Sequence, residues 1–276
     1  MKIKLAEHSG FCFGVKRAIK IALKTAQQNS KAATLGPIIH NPQMVSYLEK
    51  LGIGFIDNID DITDETIIIR SHGITSKDYK KLLDKNVNIV DATCPFVKSA
   101  QEYAQKLTKE GFQLVILGEK EHPEVAALLS YIDDNAIIVE DPEESFSLPV
   151  DRKIGLIAQT TQREDKFERL AVKLLRKCKG LYIVKTICHA TLLRQESTKN
   201  LAQTADIMIV IGGKNSANTA RLAEIAKSEK CRTYYIETAE ELKEEWFKNV
   251  DTVGITAGAS TPEWIINEVK KRISDM

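Results

Sequence analysis

Three strings of this chain, "LGPIIHNP", "LGEKEHPE" and "IGGKNSAN", align without gaps, and each stands at the same distance from a cysteine. Counted from Cys12, Cys94 and Cys188, a glycine follows 24 residues on (Gly36, Gly118, Gly212) and a polar residue 28 on (His40, His122, Ser216). A second loop comes later in each third, "IIIRSHGIT", "GLIAQTTQ" and "GITAGAST". It places His72, Thr160 and Ser260 at 60, 66 and 72 residues from the respective cysteine. Apolar runs such as "FQLVILG" and "IMIVIGG" lead into these loops, and helical patterns such as "PEVAALLSYI" and "ANTARLAEIAKSE" lead out of them. Continuous apolar strands alternating with helices predict α/β architecture with mostly parallel sheets covered on both faces. The expectation is three pseudo-threefold-related α/β lobes over 13–94, 95–187 and 188–276, with a strand in 1–12 joining the third.

Parallel α/β sheets bind ligands beyond the carboxyl ends of their strands. Each lobe then brings one cysteine and two polar loops to such an edge. Three edges facing inward make one central pocket, with three thiols on its floor and His, Thr, Ser and Asn on its walls.

The wider composition removes other classes of function. A formal net charge of +1 gives no sequence-wide electrostatic case for nucleic acid or a membrane surface. The longest apolar runs are far too short to span a bilayer, and "MKIKLAEHSG" reads as a strand, not as a signal-peptide core. A cytoplasmic location is expected. Five cysteines, an odd number without an export signal, argue against a disulfide framework and for metal binding or catalysis. Cys178, expected in a helix, and Cys231, near a strand start, have no counterparts in the other thirds and read as structural thiols.

The contexts "GFCFGV", "DATCPFV" and "KTICHAT" each put a cysteine at a helix start, where unpaired N–H groups and the dipole favour the thiolate that metals require. Ligands from three remote segments are unlike the close CxxC pairs of a zinc finger, although a Cys3His zinc site using His189 or His8 stays open. A single nucleophilic cysteine would leave two matched cysteines unexplained. Three thiolates on a four-iron cluster would leave one iron open as a Lewis acid. On the walls, His40, His72, His122, Ser216, Asn218 and Ser260 are compact donors on loops entering helices, a setting that suits a small phosphorylated anion. Glu124, at the first turn after His122, is a candidate proton donor, and Thr160 a candidate relay; either also reads as a helix-end residue.

Together "GFCFGVKRAI", "GPIIHNP", "RSHG", "DATCPFV", "EHPEV", "AQTTQ", "TICHATLLRQ", "GGKNSANTARL" and "GITAGAST" resemble the 4-hydroxy-3-methylbut-2-enyl diphosphate reductase family, in order from Cys12 to Pro262. The resemblance implies three lobes around a 4Fe-4S cluster held by Cys12, Cys94 and Cys188, with one iron lacking a protein ligand. It implies an allylic diphosphate bound by His40, His72, His122, Ser216, Asn218 and Ser260. Two electrons from a ferredoxin or flavodoxin-type donor, and protons supplied through Glu124 with Thr160 positioning the hydroxyl, would give isopentenyl and dimethylallyl diphosphates. The residues depart from the family at Ala217, where a serine is usual, and at Lys185, where Asp is usual; a backbone N–H is expected to serve at Ala217. No ribosomal-protein-like domain is expected here. The other readings are a quinolinate-synthase-like 4Fe-4S dehydratase and a zinc-stabilised protein that binds small anions. Phe11 and Phe13, flanking Cys12, are expected to divide between core and cluster shielding.

Overall fold

The computed structural model describes residues 1–28, 31–63, 66–149 and 152–276. The first third contains β1 (Lys2–Leu5), α1 (Phe13–Gln28), β2 (Ala32–Leu35), α2 (Pro42–Lys50), β3 (Ile53–Ile56), β4 (Thr66–Ile69), α3 (Ser76–Asp84) and β5 (Asn88–Asp91). The second contains α4 (Pro95–Lys109), β6 (Gln113–Leu117), α5 (Pro123–Ser130), β7 (Ala136–Val139), β8 (Ile154–Ala158), α6 (Glu164–Leu175) and β9 (Leu181–Ile183). The last contains α7 (His189–Ala202), β10 (Ile207–Ile211), α8 (Ala217–Ser228), β11 (Arg232–Ile236), β12 (Thr252–Ala257) and α9 (Glu263–Ser274). These strands form three four-stranded, wholly parallel sheets, ordered β3-β2-β4-β5, β7-β6-β8-β9 and β1-β12-β10-β11. The result is an α/β fold of three lobes, and β1 does pair with β12 in the third sheet.

The continuous apolar runs are strands because both of their faces are covered. Along β10, Ile207, Ile209 and Ile211 pack with Val253, Ile255 and the α9 residues Ile265 and Val269. The intervening Met208 packs with Leu201 and Ala226, and Val210 with Leu222 and Ala223, on the other face. All five β10 residues are buried. No polar face interrupts such a strand, which is the pattern of a parallel sheet sandwiched by helices.

By contacts the chain forms two compact units: residues 1–16, 39–47 and 189–276, and residues 17–38 and 48–188. The first carries the β1-β12-β10-β11 sheet and the second carries the other two. Among the described residues no helix is long and apolar enough to cross a membrane.

Strand pairing fixes the register of the repeat. Leu35, Leu117 and Ile211 end the central strands, and their partners Ile69, Ala158 and Ala257 end the next ones. Gly36, Gly118 and Gly212 follow directly, and each donates its N–H to the last residue of a neighbouring strand: Ile56, Val139 and Ile236, at 2.7, 3.0 and 2.9 Å. The threefold match of the glycines is therefore real in space. Two finer alignments shift by one residue. Counting from Ile69, Ala158 and Ala257, Thr160 matches Ser71 and Ala259, so that Thr161 is the counterpart of His72 and Ser260. In the first loops, His122 and Ser216 are the N-caps of α5 and α8, whereas α2 starts at Pro42 and the side chain of Asn41 accepts the Met44 N–H at 2.8 Å. Asn41 takes the capping place because a short amide caps well and proline fits the first helical position. His40 stands one residue earlier.

Two further expectations are corrected. Cys178 lies beyond the end of α6, its N–H turned back to the Leu174 carbonyl. Neither phenylalanine beside Cys12 is buried, and Phe13 is 62% exposed, because it heads α1 on the solvent side.

Candidate active site

The three matched cysteines form no disulfide among the described residues, and each is half-buried and immediately ahead of or capping a helix: Cys12 before α1, Cys94 before α4, Cys188 before α7. Their backbone N–H groups make one repeated bond. Cys12 donates to Ala259, Cys94 to Ser71 and Cys188 to Thr160, at 3.1, 2.9 and 3.0 Å. The cysteine turn of each third is thus tied to the second polar loop of a lobe. Cys12 Sγ accepts the Val15 N–H at 3.4 Å, a bond that caps the start of α1.

Two arginines inside the cysteine motifs hold these turns, a role the sequence reading did not assign. Arg194, 5% exposed on α7, donates from Nη2 to the Gly10 carbonyl and from Nη1 to the Ala190 carbonyl, both at 2.7 Å. Arg17 on α1 donates to the carbonyl of Thr93, the residue before Cys94, at 3.0 Å. Asp91, at the end of β5, accepts the Thr93 N–H at 2.8 Å and pairs with Lys98 at 2.5 Å. Burial pushes its carboxyl up, but the hydrogen bonds from Lys98 and Thr93 outweigh that and hold it below the usual carboxylate range.

The predicted residues fall into two groups, one in each compact unit. In the larger unit, Glu124 is 1% exposed at the first turn of α5. One of its oxygens accepts the Thr160 N–H at 2.6 Å and the other accepts the Thr160 hydroxyl at 2.8 Å. The Glu124 N–H donates to His122 Nδ1 at 3.1 Å. A backbone amide can only donate, so Nδ1 must be the bare nitrogen and the neutral ring carries its proton on Nε2. The His72 ring meets His122 edge to face, with centroids 5.6 Å apart. Gln159, wholly buried, was also overlooked by the sequence reading. Its Oε1 accepts the Glu119 N–H at 3.0 Å and its Nε2 donates to Thr161 at 3.1 Å, so it joins the loop of His122 to that of Thr160.

In the other unit, Ser216 caps α8, its oxygen accepting both from the Thr219 N–H at 3.3 Å and from the Thr219 hydroxyl at 3.0 Å. With both lone pairs engaged, its own proton is left to donate to a further acceptor. Asn218, 5% exposed, has an Nδ2 without a hydrogen-bond partner among the described residues. A buried donor left so costs about 1–3 kcal/mol, which an acceptor-rich ligand would recover. Ser260 donates to the His40 carbonyl at 3.0 Å. Gly213 comes so close that a Cβ there would lie 2.8 Å from that same carbonyl, so only glycine allows the His40 turn and the Ser216 loop to meet. Ala217 is the first residue of α8, where a backbone N–H has no partner within the helix. Lys185 is exposed and ion-paired with Glu164, and His189 is exposed as well.

Comparison with known proteins decides the family. The sequence model of the LytB protein family matches residues 3–274. The chain belongs to that family. Curated relatives named 4-hydroxy-3-methylbut-2-enyl diphosphate reductase include those of Geobacter metallireducens, 48% identical over all of this chain and 98% of the relative, and Syntrophotalea carbinolica, 49% identical over all of this chain and 99% of the relative. A solved structure of (E)-4-hydroxy-3-methyl-but-2-enyl diphosphate reductase, described as the terminal enzyme of the non-mevalonate pathway, is 46% identical, with a TM-score of 0.70 over 100% of this chain and 99% of the other. The reductase of Plasmodium falciparum is 28% identical, with a TM-score of 0.91 over 99% of this chain and 87% of that one. This enzyme is accordingly a reductase of the allylic diphosphate in a family of iron–sulfur enzymes, and the quinolinate-synthase-like and zinc-protein readings fall away.

Proposed function

We propose that Cys12, Cys94 and Cys188 hold a 4Fe-4S cluster with one iron lacking a protein ligand, and that the polar loops bind the substrate's diphosphate. The donor set fits such a group: three unbridged thiols, each at a helix start and each fixed by the same backbone bond. When bound, the cluster would supply the electrons and an open iron acting as a Lewis acid toward the substrate hydroxyl.

The chain's own residues do the rest. His122 donates from Nε2, Asn218 from an Nδ2 that has no partner among the described residues, and Ser216 from its hydroxyl, three donors suited to phosphate oxygens. His40 and His72 add imidazole donors. Ser260 exchanges the His40 carbonyl for a phosphate oxygen. Glu124 delivers a proton toward the leaving hydroxyl, and Thr160, bonded to both of its oxygens, orients it. The substrate takes up two electrons and two protons, its C–O bond breaks, and water leaves. The electrons come from a ferredoxin or flavodoxin-type protein. Five cysteines with no disulfide among the described residues suit the reducing cytoplasm, the location we propose.

One observation carries this reading. A continuous path runs from Cys188 through Thr160 and Glu124 to His122, with links of 3.0, 2.6, 2.8 and 3.1 Å. It joins a proposed cluster ligand, a buried acid and a phosphate donor in one network. The test is anaerobic turnover of (E)-4-hydroxy-3-methylbut-2-enyl diphosphate with a reduced viologen, alongside iron and sulfide analysis. Brown protein that forms isopentenyl and dimethylallyl diphosphates is expected from the wild type. Cys94→Ser should lose cluster iron, and Cys231→Ser should keep colour and activity. The Cys231 thiol, pushed up by burial, is engaged with the Ala205 carbonyl at 3.3 Å. Equal losses in both variants would refute this division of the cysteines.

A further inference from the structure

The loops carrying His122 and Ser216 are each held at a second point, by an acid that has no part in the reading above. Lys120 donates its backbone N–H to Glu140 Oε1 at 2.8 Å, and Lys214 donates its own to Glu237 Oε1 at 2.6 Å. Glu140 and Glu237 are counterparts. Each stands one residue beyond a strand whose last residue pairs with the end of the central strand, Val139 with Leu117 and Ile236 with Ile211. The same strand residues accept the N–H of Gly118 and Gly212. So the first N–H of each loop goes to a strand-end carbonyl, and the third goes to the carboxylate of the next residue. Two residues after the clamped lysine comes the helix cap, His122 or Ser216, and two after the cap comes Glu124 or Asn218.

The third lobe reinforces the device. Glu241 accepts the N–H groups of Glu237 and Thr238 at 2.6 and 3.3 Å and pairs with Lys214 Nζ at 2.7 Å. The Tyr235 hydroxyl donates to the Gly213 carbonyl. The first lobe lacks it. Asp57 occupies the matched place after Ile56, yet Ile38, the third loop residue, gives its carbonyl to the Ser71 N–H and hydroxyl at 3.3 and 3.0 Å. No Ile38 N–H bond to Asp57 is present among the described residues.

We propose that Glu140 and Glu237 are positioning residues of the reductase, each fixing one substrate loop by a charge-assisted bond to its backbone. The proposal rests on the reading that His122, Glu124, Ser216 and Asn218 meet the substrate. It predicts unlike effects from like substitutions, because the two loops carry different chemistry. The Glu237 loop presents only anion donors; the Glu140 loop also presents the acid.

The experiment compares Glu140→Ala, Glu237→Ala and Asp57→Ala by steady-state kinetics with the cluster-loaded enzyme and by calorimetric binding of inorganic diphosphate. Glu237→Ala should raise KM and the diphosphate dissociation constant about fivefold, with kcat nearly unchanged. Glu140→Ala should also lower kcat, by about tenfold. Asp57→Ala should change neither quantity. Glu237→Gln, which keeps an acceptor oxygen, should restore KM; a residue that merely supports folding would instead lower kcat alike in every variant and leave KM alone. The proposal is overturned if the alanine variants at 140 and 237 behave like Asp57→Ala while the wild type turns over. A loaded wild type that neither turns over nor binds diphosphate overturns the substrate-site reading itself.

Discussion

In the proposed reaction Glu124 is the residue on which the chemistry turns, and its surroundings explain how it is held. A carboxylate removed from water needs its oxygens satisfied, and Thr160 supplies one donor to each. Thr160→Val keeps the backbone bond and the shape but leaves one oxygen without its hydroxyl donor, a loss of about 1–3 kcal/mol of interaction. If Thr160 orients the acid, kcat falls about tenfold while KM stays within about twofold. A rise in KM with kcat intact would place Thr160 among the anion donors instead. At this scale the sequence was readable where residue type and spacing coincide. Cys12, Cys94 and Cys188 stand out by their fixed distance to a glycine, and the histidines by their scarcity. Glu140 and Glu237 do not stand out, since an exposed or half-exposed glutamate after a strand resembles many others until its partner N–H is seen. Arg17 and Arg194 were hidden for a related reason, because each acts on a carbonyl distant in the chain.

Elements are legible as far as burial writes them. β8 and β10 are apolar throughout because helices cover both faces, and their lengths follow from the runs "IGLIA" and "IMIVI". Helix starts are less legible, since capping is a competition among neighbours: Asn41 wins over His40 through one bond to Met44. The start of α8 shows how closely such a junction is built. Thr219, fully buried, holds Ser216 Oγ, and Gly258 packs so tightly that a Cβ there would lie 1.9 Å from Thr219 Oγ1. Gly258→Ala must therefore displace Thr219, at a cost of about 1–3 kcal/mol, and with it the orientation of Ser216. Thermal unfolding should show a lower midpoint, and KM should rise. Adding Thr219→Ala removes the clashing oxygen. The double variant should then be more stable than the sum of the two single effects, a coupling that a thermodynamic cycle measures. Strict additivity would mean that the two residues do not interact in this way.

Across the whole molecule, the repeat gives three lobes while contacts give two units, and the difference lies in one short segment. Residues 39–47 belong by sequence to the first lobe but associate with the last third, where Ser260 and Gly213 meet the His40 carbonyl. Periodicity reports the local units of strand, loop and helix; it carries no record of such an exchange, which depends on two backbones approaching through a glycine. The N-terminal segment is the other long-range tie. β1 pairs with β12 from Lys2 to Leu5, and the chain continues alongside it, with Ala6, Gly10 and Cys12 donating to Ile255, Ala257 and Ala259 at 2.8, 3.3 and 3.1 Å. A chain beginning at Glu7 would bare one edge of β12 and free the turn that carries Cys12. Hydrogen exchange should then accelerate in β10 and β12, while β6 and β8, which lie in the other unit with their own core around Leu114, Ile116 and Ile157, keep their protection. Iron content should fall together with protection of the β12 amides, because the same backbone ladder that closes the sheet also fixes the first cysteine. Uniform acceleration in all three sheets would show that the strand supports the molecule globally. Unchanged iron with a deprotected β12 would separate the cysteine turn from the sheet beside it.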